Sequence, residues 1–291
     1  MSETQYVRAG SVSQAIDALK AANGDGVIIA GGVVVSSLLN QRLASPAVLV
    51  DITRIGALKV IKADSRGLSI GALVTHSEVL SSSEVQAAAP LLSEIAEEIS
   101  CPRLRNQGTL GGSICTIGGQ GDPATGLIAL GATINIKGTG GGRIVALEDF
   151  YNDAFKVDLA PDEIVESLSI PPMKPGARFA FYKHGPRNAM DFTQITTSLV
   201  YSPLDDGGFI ARIGMNGVGY TPNRPRDTEA LLTGTDPEAI DWLKVEQAVA
   251  EEVEPQGDLV YSENFKRHLA SVTLRRAFER AMSKSGYSGA K

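Results

Sequence analysis

A glycine-rich stretch at residues 105–123, RNQGTLGGSICTIGGQGDP, holds most of the residue types that could bind an anion. Glycine lets the backbone approach a ligand closely, and successive free N–H groups in such a turn form a concave anion site. Thr109 and Ser113 add hydroxyl groups beside those amides. The stretch predicts either a cradle for a phosphate or pyrophosphate or a long glycine-rich surface loop, since it has no lysine or fixed glycine register. Its glycines are Gly108, Gly111, Gly112, Gly118, Gly119 and Gly121.

A second pair of glycines lies nearer the N-terminus. Residues 27–30 form a short β-branched run, and Gly31 and Gly32 follow at once. A strand that ends in Gly-Gly and turns toward a helix offers free N–H donors to an anion, although a plain strand-end turn would have the same residues. The spacing is not GxGxxG, and no GKS or GKT follows either loop, so the usual dinucleotide and P-loop motifs are absent.

The composition argues against several other classes of site. The chain has 291 residues, a formal charge of −6 and a pI near 5.2, so it lacks the basic field that nucleic-acid binding requires. Its two cysteines, Cys101 and Cys115, are too few for an all-cysteine iron–sulfur site, and three histidines do not favour a histidine-rich metal site. No apolar run approaches the ~18 residues of a transmembrane helix, and no signal peptide is recognisable, so we expect a cytoplasmic protein.

Hydrophobic periodicity predicts the elements that position the first glycine pair. Ser11 and Gln14 form a capping-box pattern before an amphipathic helix, and the runs at 27–30 and 48–52 predict a small α/β layer. Thr75 and Glu78 form a second capping box, and we expect His76 to be exposed in the turn that follows. Further strands are predicted at 58–61, 68–73, 132–136, 143–147 and 163–170, and further helices at 85–99 and 126–132.

The clearest boundary in the chain is PPMKPG at residues 171–176. Beyond it, residues 179–183, 195–201 and 209–218 predict antiparallel strands, and residues 226–232, 239–249 and 262–282 predict helices. Strands followed by helices indicate an α+β fold class. The small, polar tail at residues 283–291 is expected to fray.

Three segments together resemble a known family. They are AGGVVVSSLLNQRLASPAVLVDITRI, RNQGTLGGSI and FAFYKHGPRNAMDFTQITTSLVY, and their order and spacing agree with it. They resemble the flavoprotein subunit of molybdenum hydroxylases, which includes the medium subunit of aerobic carbon monoxide dehydrogenases and the FAD domain of xanthine dehydrogenases. The resemblance implies a two-subdomain FAD-binding fold of the vanillyl-alcohol-oxidase (PCMH) type at residues 1–174, with subdomains at about 1–56 and 57–174. A C-terminal α+β domain follows at residues 175–291.

The same resemblance implies which residues hold FAD, with no catalytic side chain and no metal site in this chain. One end of the pyrophosphate would lie on the first glycine loop and the other on the second. Tyr182 would stack on the flavin ring or fill core, and Lys183 would meet a phosphate, stabilise an anionic flavin or face solvent. The expected FAD-binding residues are Ala30, Gly31, Gly32, Val33, Val34, Val35, Thr109, Gly111, Gly112, Ser113, Thr116, Asp122, Tyr182 and Lys183.

The sequence also departs from the family pattern. Gly126 stands where the family has an acid, so Asp122 is the nearest substitute, and the loop at 117–122 is longer than usual. Val33 and Val34 replace a commoner polar pair, which removes side-chain donors but leaves the backbone amides. Arg103 and Arg105 could meet a phosphate or a partner's carboxylate. Asp191 and Phe192 match a family position near the domain interface.

The function implied by the resemblance is electron transfer through FAD in a larger complex. A small partner chain would carry two two-iron, two-sulfur clusters, and a large one would carry the molybdopterin cofactor and oxidise the substrate. Two such heterotrimers would form a dimer, and FAD would pass the electrons to an external acceptor. The alternatives are a free-standing FAD oxidoreductase with its own substrate, and a flavin-free binding module. The sequence does not indicate the substrate or the acceptor.

Overall fold

The computed structural model describes residues 4–116, 121–153, 156–185, 193–205 and 207–289. Within these ranges the chain forms three larger sheets and a two-stranded one. Each larger sheet has its own cluster of buried hydrophobic side chains. The predicted α+β class, with a two-part N-terminal region and a C-terminal antiparallel sheet with helices, is confirmed.

The first layer is a three-stranded parallel sheet in the order β1-β3-β2. Ser11 caps α1 as predicted by accepting a hydrogen bond from the Gln14 N–H, although the Gln14 side chain accepts from the Gly10 N–H instead of returning to Ser11. The first glycine pair connects β2 directly to α2. The elements are β1 (Gln5–Arg8), α1 (Val12–Ala21), β2 (Gly26–Ile29), α2 (Val33–Asn40) and β3 (Val48–Asp51).

The second layer is a five-stranded antiparallel sheet in the order β4-β5-β10-β6-β7, with six helices packed on it. The predicted hairpin corresponds to β6 and β7. Its strands are β4 (Ile61–Asp64), β5 (Gly67–Gly71), β6 (Thr133–Gly138), β7 (Gly141–Ala146) and β10 (Ile164–Ile170), and β8 (Tyr151–Asp153) and β9 (Lys156–Val157) form the small sheet. Its helices are α3 (His76–Ser81), α4 (Ser83–Ala88), α5 (Pro90–Glu98), α6 (Pro102–Arg105), α7 (Leu110–Ile114) and α8 (Asp122–Ala129).

Two local predictions in this layer were wrong. The single helix expected at 85–99 is split into α4 and α5 at Ala89, because proline lacks an N–H and disfavours helical geometry in the residue before it. The strand expected at 58–61 is a 3₁₀ turn, Gly56–Lys59, that leads into β4. The Leu58 carbonyl in that turn accepts a hydrogen bond from the Leu73 N–H at 2.8 Å, a long-range contact that alternation in the sequence does not indicate.

The C-terminal region is a three-stranded antiparallel sheet in the order β11-β12-β13, and three helices complete it. The predicted strands and helices are all present, with Trp242 and Phe278 packed edge-to-face in its core. The strands are β11 (Arg178–His184), β12 (Ile195–Pro203) and β13 (Phe209–Asn216), and the helices are α9 (Arg226–Leu232), α10 (Trp242–Glu252) and α11 (Glu263–Ser283); a 3₁₀ turn, Pro237–Ala239, precedes α10.

The described part of the tail after α11, residues 284–289, is held in place, which corrects the expectation of fraying for those residues. The Gly176 N–H donates to the Tyr287 carbonyl at 2.7 Å, and the Tyr287 N–H donates to the Ala177 carbonyl at 2.7 Å. The Tyr287 hydroxyl donates to the Ala87 carbonyl at 2.6 Å, which joins the tail to α4. The small side chains here permit close packing, since a Cβ on Gly286 would lie 3.1 Å from the Gly176 carbonyl oxygen.

Helix α8 joins the second layer to the C-terminal sheet. Each of its residues is buried. It packs tightly on β13, since a Cβ on Gly214 would lie only 2.0 Å from the Thr125 carbonyl oxygen. The Thr125 hydroxyl also makes a 2.7 Å hydrogen bond with the Ser198 hydroxyl on β12. Nearby, the Arg224 guanidinium binds Glu148 at 2.8 Å and Glu229 at 2.8 Å, so a charged network accompanies the apolar contact.

Candidate functional site

The first glycine loop presents a row of open backbone amides. Gly32 has a φ of 74° and caps α2, a left-handed conformation that glycine adopts without strain. The first helical bond of α2 runs from the Ser36 N–H to the Gly32 carbonyl at 2.8 Å. Among the described residues, the amides from Gly31 through Val35 therefore have no hydrogen-bond partner. Such a helix start binds anions, because its free N–H groups and the helix dipole both favour negative charge.

The two glycine loops touch each other at Gly31. A Cβ on this residue would lie 1.6 Å from the Gln107 carbonyl oxygen, so only glycine fits between the loops. Gln107 precedes the second loop, and its backbone lies directly against the end of β2. The loops that sequence analysis treated as two halves of one site are therefore adjacent in space.

A cleft of about 580 Å³ opens beside these amides, between α2 and the segment around α6. This volume lies within the usual range for ligand pockets. Val33 lines it with 37% of its surface exposed, and the neighbouring Val34 is 38% exposed. The polar residues that line it on α2 were not predicted, although they lie three and four residues apart and so share one helix face. They are Ser36, Ser37, Asn40 and Gln41, and they face Cys101, Arg103, Leu104 and Gln107.

The second glycine loop differs from the first, because its amides from Leu110 through Ser113 already have partners inside the protein. The Gly111 N–H donates to the Ala72 carbonyl at 2.9 Å, and the Ser113 N–H donates to the Thr109 carbonyl at 2.9 Å. The Gly112 N–H donates to the Thr109 hydroxyl at 3.1 Å. The loop is therefore an ordered short helix, α7, with Thr109 as its cap.

What the second loop offers a ligand is side chains and one amide. The Thr109 N–H has no partner among the described residues. Ser113 is half-buried, and its hydroxyl oxygen contacts the buried His76 ring. Thr116 donates its hydroxyl to the Gly112 carbonyl at 2.6 Å, so it stabilises the end of α7. Gly111 is required for packing, since a Cβ there would lie 2.6 Å from the Ala72 Cβ.

His76 lies under the second loop and is only 4% exposed, which corrects the expectation of an exposed histidine. The capping box of Thr75 and Glu78 is present as predicted, and it starts α3 beneath the loop. The His76 Nε2 atom lies 2.8 Å from the Ser113 hydroxyl oxygen. Burial, with a smaller effect of the positive charge on Arg105, lowers the pKa of His76 to about 4.

Tyr182 and Lys183 lie on opposite faces of β11, because successive side chains alternate along a strand. Lys183 points to the N-terminal side, where its ammonium binds the Asp122 carboxylate at 2.6 Å and the Glu98 carbonyl at 3.1 Å. Tyr182 points to α11, where its hydroxyl accepts a hydrogen bond from Arg276 at 2.6 Å. The two residues therefore do not share one site.

Asp122 was the expected substitute for the missing acid at Gly126, and it is engaged with Lys183. The Thr193 hydroxyl donates to its second oxygen at 3.1 Å. Burial raises the pKa of Asp122, and the Lys183 ammonium offsets part of that effect. A side chain at position 126 would require Ile95 to move, because a Cβ there would lie 2.2 Å from the Ile95 Cδ1 atom.

The remaining candidates separate into cleft and framework residues. Arg103 lines the cleft, whereas Arg105 donates to the Ile99 and Ser100 carbonyls at 2.9 and 3.0 Å and so holds α6 in place. Cys101 and Cys115 are free thiols of intermediate burial. Positions 117–120 of the long loop, and also Asp191 and Phe192, lie outside the described residues. Among those described, no group of three or more His, Cys, Asp or Glu residues is placed to hold a metal ion.

The geometry fits a dinucleotide flavin cofactor. Open amides that could bind a pyrophosphate lie beside a cleft lined by polar residues. Gly31 and Gln107 both line this cleft, and they are so close that Gly31 has no room for a Cβ. Residues 2–173 match the family model described as FAD binding domain in molybdopterin dehydrogenase. Residues 180–281 match the CO dehydrogenase flavoprotein C-terminal domain. The chain belongs to this family. It is therefore a flavoprotein component of a molybdenum-containing dehydrogenase, an oxidoreductase.

Individual relatives agree with this assignment. The flavoprotein is 30% identical to the carbon monoxide dehydrogenase medium chain of Afipia carboxidovorans, over 96% of this chain and 97% of that one. It is also 30% identical to the 6-hydroxypseudooxynicotine dehydrogenase complex subunit alpha of Paenarthrobacter nicotinovorans, over 95% of each chain.

Solved structures share the fold over almost the whole length. A chain of the Cu,Mo-CO dehydrogenase in its cyanide-inactivated form superposes with a TM-score of 0.91 at 28% identity, covering 96% of this chain and 97% of that one. A chain of quinoline 2-oxidoreductase from Pseudomonas putida 86 superposes with a TM-score of 0.86 at 26% identity, over 96% of each. In the described part of the flavoprotein, no helix has the length and apolar character needed to cross a membrane.

Proposed function

We propose that this flavoprotein binds one FAD across its two glycine loops and transfers electrons from the iron–sulfur clusters of a small partner chain to an external acceptor. The observation that carries the proposal is the row of open amides from Gly31 to Val35, which ends at a polar cleft and touches the second loop. Bound FAD supplies the redox chemistry, because it can take up electrons singly and release them singly or in pairs.

The residues of this chain bind and orient that cofactor. The amides of the first loop would hold the pyrophosphate, and Thr109 and Ser113 would supply an amide and a hydroxyl from the second. Each hydrogen bond to a charged phosphate contributes about 1.5–3 kcal/mol. Val33 and Val34 would cover the amides and exclude water, which strengthens these bonds. Lys183 and Asp122, paired with each other, would fix the domain that flanks the flavin and make no contact with a phosphate.

The proposed setting is a complex of three kinds of chain. A large partner chain would hold the molybdopterin cofactor and oxidise the substrate, and two heterotrimers would pair in the cytoplasm. Subunits about 30% identical to this one belong to enzymes named for carbon monoxide and 6-hydroxypseudooxynicotine, which supports placing substrate choice in the large chain. We place the domain boundaries at residues 1–174 and 175–291, with the first divided near residue 56.

The visible absorbance spectrum of the purified chain tests the central claim. We expect a flavin spectrum, about one FAD per chain on extraction, and neither iron nor molybdenum when the partners are absent. Gly31→Ala should remove most of the flavin, because its methyl group would force the Gln107 carbonyl and the second loop away. Gly140→Ala is the matched control, since nothing lies within 4 Å of a Cβ there. Full flavin content in Gly31→Ala would contradict the assigned site.

A further inference from the structure

His76 contacts the second glycine loop at three points. Its backbone N–H donates to the Gly108 carbonyl at 3.0 Å. Its ring lies against the Gly108 backbone, where a Cβ would come within 3.0 Å of the His76 Cδ2 atom. Its Nε2 atom lies 2.8 Å from the Ser113 hydroxyl oxygen. The buried His76 side chain therefore contacts both the Gly108 backbone and the Ser113 hydroxyl group of the loop.

The hydrogen between His76 and Ser113 has only one placement that leaves Ser113 free to bind an anion. A serine hydroxyl has a single hydrogen, and phosphate oxygens accept hydrogen bonds. If Ser113 donated to the imidazole, its lone pairs would face the phosphate and repel it. If instead the Nε2–H group of His76 donates to Ser113, the serine hydrogen is available to the ligand.

We propose that His76 is a positioning residue for FAD binding, which holds the Ser113 hydroxyl with its Nε2–H group so that the serine donates to the pyrophosphate. This inference rests on the proposed function, because it requires FAD at the two glycine loops. The positive charge that acts on the ring is that of Arg105, whose guanidinium donates to the Ile99 and Ser100 carbonyls. The ring is neutral near pH 7 and therefore carries one N–H.

A double-mutant cycle on FAD affinity tests the proposal in the full chain. FAD would be titrated into flavin-free protein, with flavin fluorescence as the readout. Ser113→Ala should weaken binding roughly 10- to 100-fold, and His76→Leu roughly 10-fold. In the Ser113→Ala background, His76→Leu should change the affinity by less than about twofold, because the two residues act through one bond. Equal losses in both backgrounds would overturn the proposal.

Two further measurements separate positioning from folding. His76→Gln places an amide N–H near the position of Nε2 and should restore most of the affinity lost in His76→Leu; no recovery would argue for a packing role alone. The ¹⁵N NMR spectrum of histidine-labelled wild-type protein should show His76 as the Nε2–H tautomer, and the chain has only three histidines to assign. A proton on Nδ1 would overturn the proposal without any variant.

The same experiments distinguish a failure of the His76 proposal from a failure of the proposed FAD binding. If wild-type protein binds FAD and Ser113→Ala binds it equally well, the positioning role is wrong and the flavin assignment stands. If wild-type protein binds no FAD, the proposed function fails and the inference fails with it.

Discussion

His76 shows how a single residue can connect cofactor binding with stability. Its side chain is buried and its pKa is lowered to about 4, whereas an exposed histidine in the unfolded chain titrates near 6.5. Between these two values the unfolded chain binds a proton that the folded chain does not. The free energy of unfolding therefore falls as the pH falls through this window.

We expect this effect to be measurable by urea unfolding of the flavin-free chain. From near pH 7 to near pH 5 the wild-type protein should lose about 2 kcal/mol of stability through His76 alone. His76→Leu should lose less stability over the same interval, because its side chain does not titrate. Substituting the exposed His268 by Gln is the control and should leave the wild-type dependence unchanged. An identical pH dependence in His76→Leu would show that another group is responsible.

At the same scale, local sequence was sufficient for the first glycine loop and insufficient for the second. A strand, two glycines and a helix leave the amides at Gly31 to Val35 open through local geometry alone. The amides at Gly111 and Leu110 are consumed by the carbonyls of Ala72 and Val74, which are far away in sequence. Glycine content cannot reveal such partners, so the pattern could not indicate which amides of the second loop have partners inside the protein.

At the scale of elements, the strand β11 and the helix α8 are connected by one buried ion pair. The Asp122 side chain is 7% exposed and the Lys183 side chain 18% exposed, and both are removed from most solvent. A buried charge that loses its partner is far more costly than an exposed one. This pair thus holds β11 against the N-terminal region, where the sequence suggested a flavin contact.

Lys183→Met should lower the free energy of unfolding by roughly 3–5 kcal/mol, because it leaves the Asp122 carboxylate buried without a counter-charge. Adding Asp122→Asn should recover part of that loss. Lys174→Met is the control, since Lys174 pairs with a fully exposed Asp205 and its removal should change stability by less than about 1 kcal/mol. Urea unfolding of the four proteins measures this, and equal effects at Lys183 and Lys174 would contradict the assignment.

Helices and strands were predicted correctly where their own residues carry the signal, and less well where a distant residue determines the local structure. Strong local signals located the hairpin of β6 and β7, the three C-terminal strands and α11. The interruption at Pro90 was equally local, since proline disfavours a helical residue before it, and it was overlooked because the apolar spacing continues through it. The turn at Gly56–Lys59 is bonded to Leu73, a distant partner that its own residues do not indicate.

At the scale of the whole molecule, the tail holds the two halves of the chain together. Lys284 binds Glu94 on α5, and Tyr287 bonds to Gly176, Ala177 and Ala87. Arg178 on β11 also donates to the Met282 carbonyl at 2.6 Å. A segment whose composition is typical of a frayed terminus therefore contacts both the N-terminal helices and the start of the C-terminal sheet.

Deleting residues 284–291 should lower the thermal unfolding midpoint by several degrees, because it removes these contacts with both regions. Tyr287→Phe isolates one hydrogen bond and should destabilise the protein by about 1 kcal/mol. Tyr220→Phe is its control, because Tyr220 is 57% exposed and lies on the surface. Calorimetry checks the three variants, and an unchanged midpoint after the deletion would mean that the tail contributes nothing to stability.

The hydrogen bonds of Tyr287 with Gly176 and Ala177 bring the start and the end of the C-terminal region together. The backbone enters the C-terminal domain and leaves it at neighbouring points, joined by two hydrogen bonds of 2.7 Å. Domains whose termini lie together tolerate circular permutation and insertion into other chains. An exchange at this junction would interrupt neither the C-terminal sheet nor the glycine loops, but the transferred segment would need a new partner for Lys183 and a new surface against Gly214.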